Sequence, residues 1–113
     1  MRLPLWLLGA GLLLAACGPT DPRDARIDNI QDMAESEARA IQAAAGNEIG
    51  TMRAEADAIK AQADAVNGFD AERLQTRAEA LRKEAQIVER KAEAQARAVR
   101  DRAKAEVSAI KAE

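Results

Sequence analysis

Reactive chemistry in this chain is confined to very few residue types. His is absent, which removes the usual general base and the commonest transition-metal ligand. Ser36 and Ser108 therefore have no imidazole to activate them. Acid pairs such as Asp28 with Asp32 and Glu89 with Glu93 stand at helical spacing. A chain with 19 acidic and 17 basic residues produces such pairs by abundance, and they read as a solvated, charged helix face. The single cysteine, Cys17, excludes an internal disulfide and a Cys-based zinc site. Its thiol is the one nucleophile placed to accept a covalent group. No catalytic constellation, cofactor site or metal site emerges, and the expectation is a protein that is not an enzyme.

The surroundings of Cys17 are informative. Met1-Arg2 gives a short positive start, and Leu3 to Ala16 is an uncharged apolar run. Its fourteen residues fall short of the ~20 that span a bilayer as a helix. A positive start, a short apolar core and small residues at the boundary describe a signal peptide over residues 1–16. The boundary itself, Leu14-Ala15-Ala16-Cys17, resembles the lipobox of bacterial lipoproteins: an aliphatic residue, two small residues, then Cys. The resemblance implies a diacylglycerol in thioether linkage on Cys17, cleavage between Ala16 and Cys17, and acylation of the new amino terminus. Two or three acyl chains hold a bilayer far more firmly than one. In Gram-negative lipoproteins an Asp after the Cys commonly retains the protein at the inner membrane, and Gly18 stands here. The resemblance therefore implies the periplasmic face of the outer membrane, with the inner membrane as the weaker alternative. It covers the first seventeen residues and is silent on the rest.

Residues 17–22 form a short tether, because Pro19 and Pro22 remove donors and push their neighbours extended. Beyond it the chain is Ala, Glu, Asp, Lys, Arg and Gln with sparse Ile, Leu, Val and Met, a strongly helix-forming mixture. Apolar residues recur in steps of three and four and nowhere alternate, so strands find no support. The expected packing seam runs through Ile27, Ile30, Ile41, Ile49, Met52, Ile59 and Val66. It resumes at Leu74, Leu81, Val88, Val99, Val107 and Ile110, with alanines between. Ile27, Ala38 and Ile49 are eleven apart, as are Val88, Val99 and Ile110, while residues 74–92 keep a seven-residue rhythm. Eleven residues in three turns hold a stripe nearly straight along a helix. The spacing predicts helix 1 over 23–66, weakened near 46–50 by Gly46 and Gly50. Asn67-Gly68 predicts a break over 67–69, with Gly68 as a left-handed cap of helix 1. Helix 2 follows over 70–112, with Asp70 as its N-cap.

The fold class is thus all-α: two long, Ala-rich amphipathic helices. They form either an antiparallel hairpin or one extended coiled-coil rod. Residues 17–68 hold ten acids and five bases, whereas residues 69–113 hold nine acids and eleven bases. Arms of similar length and opposite charge favour the hairpin. Sixteen large apolar residues beyond the Cys are few against the entropy of ordering the chain, which predicts self-association or another helical protein covering the seam.

A nucleic-acid partner is not expected. The basic-leaning run from Arg77 to Lys104 has acids interspersed and no aromatic to stack on bases. The partners expected are the membrane, through the lipid, and a helical protein. In plan the chain resembles murein lipoprotein, a lipidated Cys followed by a short helical rod. That family binds peptidoglycan covalently through a C-terminal Lys, and this chain ends Ile110-Lys111-Ala112-Glu113. Contact with peptidoglycan would need another route. The function expected is a lipid-anchored spacer or helix-mediated binding partner of the bacterial envelope. One alternative is a desiccation protectant, since Ala, Lys and Glu at eleven-residue intervals resemble late embryogenesis abundant proteins. The other is a regulatory subunit of an envelope enzyme.

Overall fold

A computed structural model describes residues 21–113 and contains two helices, α1 (Pro22–Ala65) and α2 (Phe69–Lys111). The signal peptide, the lipobox with Ala16 and Cys17, and the tether up to residue 20 lie outside the described residues. Helix α1 starts where the local chemistry dictates. The Asp21 carboxylate accepts a hydrogen bond from the Arg23 N–H at 2.9 Å, and Pro22 occupies the first turn, where no N–H is needed. Helix α1 then runs 44 residues, straight through Gly46 and Gly50. The two glycines weaken the helix energetically, by about 1 kcal/mol each relative to Ala, without interrupting it.

The break is built differently from the expectation. Val66 turns extended (φ −121°, ψ 168°), and its N–H donates to the Ala63 carbonyl. Gly68 has φ +71° but ψ −138°, which is not the left-handed helical cap predicted for it. It serves instead as the N-cap position of α2, in a backbone region that a Cβ disfavours. Phe69 belongs to the helix rather than to the break. Asp70 is not a cap: α2 has no side-chain cap, and Asp70 and Glu72 sit in its first turn, where the helix dipole favours negative charge. At the far end Lys111 occupies the last turn, where a cation is favoured.

The two helices pack side by side and antiparallel. Arg26 meets Glu113, Glu35 meets Arg100 and Asp57 meets Arg82, so one residue number rises as the other falls. The hairpin, about 65 Å long at 1.5 Å per residue, therefore replaces the extended rod.

A mirror in the sequence explains the pairing. Counting outward from the Gly68–Phe69 bond, every seam position of α1 has a counterpart at the same remove in α2. Nearest the turn the partners are Ala63 and Leu74, Ile59 and Ala78, and Ala56 and Leu81. Next come Met52 and Ala85, Ile49 and Val88, Ala45 and Ala92, and Ile41 and Ala96. Ala38 and Val99, Ala34 and Ala103, Ile30 and Val107, and Ile27 and Ile110 complete the set. Six of the eleven pairs set a large residue against Ala, so the knobs of one helix find room on the other. Both arms carry the seven-residue rhythm nearest the turn and the eleven-residue rhythm beyond it. The two stripes consequently drift around their helices together and remain face to face. Ala34, Val99 and Ala103 form one buried cluster under Ile30 and Ile41, and Ala56, Ile59 and Ala78 form another against Leu74 and Leu81.

Candidate interaction surface

Two cylinders touch along a line, so the burial of the seam is uneven. The most completely buried side chains are alanines: Ala38, Ala56, Ala85 and Ala96 are fully covered. Among the larger seam residues Ile59, Val99, Val107 and Ile110 are buried. Ile27, Ile30, Ile41, Ile49, Met52, Leu74, Leu81 and Val88 are only half-buried, leaning over the edges of the contact. Val66 is a correction to the expected seam. The extended turn that ends α1 carries it outward, leaving it 40% exposed. Phe69, Met33 and Ile87 stand off the seam and are 76%, 65% and 61% exposed.

Charges line both edges of the contact. Along one run Arg26–Glu113 at 3.5 Å, Glu37–Arg102 at 3.6 Å and Glu55–Arg77 at 4.0 Å. Along the other run Glu35–Arg100 at 3.1 Å, Arg53–Glu89 at 3.5 Å and Asp57–Arg82 at 3.0 Å. Four of these six cross-helix bridges place the acid on α1 and the base on α2, as the charge asymmetry of the arms requires. Exposed bridges of this kind contribute little individually. Glu35 is the best connected. It accepts two hydrogen bonds from the Arg100 guanidinium and one from Arg39 on its own helix. The Arg100 hydrogen bond holds the Glu35 carboxyl below its ordinary value of 4.5, and Glu35 in turn raises Arg100. Composition alone does not single out this bidentate contact. It forms because the chain folds back on itself, and it lies two residues out of exact mirror register, which would set Glu35 opposite Arg102. The i,i+4 pair Glu35–Arg39 closes, at 3.3 Å.

Open grooves follow the two edges. One, of about 520 Å³, lies near the free ends of the helices and is lined by Gln31, Ala34, Glu35, Arg100, Ala103, Lys104 and Ser108 among others. It is a shallow trough with charged walls. Among the described residues no group of three or more carboxylates could hold a metal ion, and Glu89 is engaged by Arg53. No described helix is long and apolar enough to cross a membrane. The chain matches no protein-family model, no curated protein and no solved structure.

What this arrangement can do is bind along its length. The half-buried aliphatic side chains on either edge of an Ala seam present a ribbon of apolar surface framed by cross-helix ion pairs. A further helix can lay its own apolar stripe on such a ribbon.

Proposed function

We propose that the protein is a lipid-anchored, non-enzymatic helical hairpin of the bacterial cell envelope, acting as a spacer and as a docking post for helical partners. The lipid anchor rests on Leu14-Ala15-Ala16-Cys17. Docking rests on one observation: eight large seam residues that two helices leave only half covered. With Cys17 four residues ahead of Asp21, the free ends of both helices lie beside the bilayer and the Val66–Phe69 turn stands farthest from it. The outer membrane is the expected site, because Gly18 follows the Cys. The first partner to test is a second copy, since the same ribbon exists on every chain. Two hairpins together would enclose the half-buried residues as a four-helix bundle does.

The anchor is tested by Cys17→Ser expressed in a bacterial host. The wild-type chain stays with the membrane fraction through an alkaline wash, and the variant is released. Equal retention of both would overturn the anchor. Docking is tested by chemical cross-linking in intact cells. Capture of a second copy or of another helical protein through the half-buried ribbon supports the reading. A chain that stays monomeric and uncross-linked at native abundance contradicts it.

A further inference from the structure

We infer that the hairpin turn is a site of spontaneous covalent modification: Asn67 converts to aspartate and isoaspartate through a cyclic imide formed with the Gly68 nitrogen. The chain has three asparagines, Asn29, Asn47 and Asn67. The first two lie inside α1, where each following N–H belongs to the helical ladder and the following side chains are Ile30 and Glu48. A helix holds the asparagine side-chain carbonyl carbon away from the next nitrogen, so neither can cyclise without local unfolding. Asn67 is unlike them in every respect that matters. It lies between the helices, exposed, in the two-residue gap after the extended Val66. Among the described residues no hydrogen bond engages its side chain or the Gly68 N–H. The space where a Gly68 Cβ would sit holds no atom of another part of the chain within 4 Å, so no side chain packs over the turn there.

The chemistry needs only water. The Gly68 nitrogen gives its proton to solvent base and attacks Cγ of Asn67. The N–Cγ bond forms, the Cγ–Nδ2 bond breaks, and ammonia leaves with the displaced electron pair and a solvent proton. A five-membered imide remains. Water then opens it at one of its two carbonyls. Cleavage at Cγ leaves an ordinary aspartate at this position, and cleavage at the main-chain carbonyl leaves isoaspartate, whose peptide link runs through the side chain. Net, one water enters and one ammonia departs, with no change of oxidation state. The product adds a carboxylate to a turn already flanked by Asp64 and Asp70, and the isoaspartyl form lengthens the main chain by one methylene. The mark accumulates with the age of the molecule, at the tip of the hairpin.

The test is to age the purified full chain in warm, neutral buffer and map it by mass spectrometry, with an isoaspartate-specific methyltransferase as the probe. Asn67 is expected to gain the mass of an amide-to-acid exchange, with methyl-accepting isoaspartate and ammonia released in step. Asn29 and Asn47 should stay intact. Asn67→Gln, which keeps an amide but would have to close a larger ring, should abolish methyl acceptance while the helical signal is unchanged. Gly68→Ala should slow conversion by an order of magnitude or more. An Asn67 that survives, or conversion of all three asparagines at one rate, overturns the inference.

Discussion

Ala38 shows what holds this molecule together at the level of single residues. It is fully buried although it is among the smallest side chains, because it lies on the line where the two helices meet. Its size sets how close the helices come. Ala38→Leu should therefore destabilise by about 1–3 kcal/mol, the usual cost of forcing volume into a packed contact, whereas the same change at exposed Ala40 should be near neutral. Thermal melts followed by circular dichroism distinguish the two. The Glu35–Arg100 contact gives a pH signature. Because the folded-state pKa of Glu35 is depressed, its contribution is fully present above its unfolded value near 4.5. It is lost as pH falls through the lower folded value. Glu35→Gln should accordingly show a weaker loss of melting temperature on acidification below that point than the wild type. Identical acid profiles for the two proteins would contradict this role.

At the scale of elements, much of the fold is legible in the spacing of Ile, Val, Leu and Ala. The bounds Pro22–Ala65 and Phe69–Lys111 differ from the expected 23–66 and 70–112 by one residue at each end. The details of the turn were not legible. Gly68 and Asp70 both suit caps by type, and which of them caps depends on how the approaching helices constrain the loop. Hairpin and rod also share the same repeats, since an eleven-residue stripe serves any long helix. What separates them is the reflection of the stripe about Gly68–Phe69, because only a chain that folds back on itself needs its large and small residues in reversed order. The Glu35–Arg100 contact depends on the chain folding back and the outward Val66 on the turn, so neither could be read from one helix at a time. The mirror makes a strong prediction. One extra Ala between Gln42 and Ala43 shifts every α1 position beyond it out of step, and should lower the melting temperature sharply. A matched pair of eleven-residue insertions, one in each arm at the same remove from the turn, preserves the facing stripes and should melt at or above the wild type.

For the molecule as a whole the governing fact is thinness. Two helices cannot enclose a core, and the large seam side chains Ile30, Ile41, Ile49, Met52, Leu74, Leu81 and Val88 remain partly in water. If second copies cover them, helix content and melting temperature rise with concentration, because association is linked to folding by mass action. A dilution series by circular dichroism should show this shift, and superimposable melts across the series would count against self-association. The same experiment at low concentration separates a helical hairpin from a desiccation protectant of the late embryogenesis type, which stays coil until dried. A hairpin anchored at its open end would hold its turn about 65 Å from the bilayer, a reach fixed by helix length alone.

The lipid anchor is tested most directly by the mass of the amino-terminal peptide from protein extracted from the membranes of its host. That chain should begin at Cys17 and carry a diacylglyceryl thioether with a fatty acyl group on the new amino terminus. A chain that begins elsewhere, or one with a free Cys17 thiol, would contradict it.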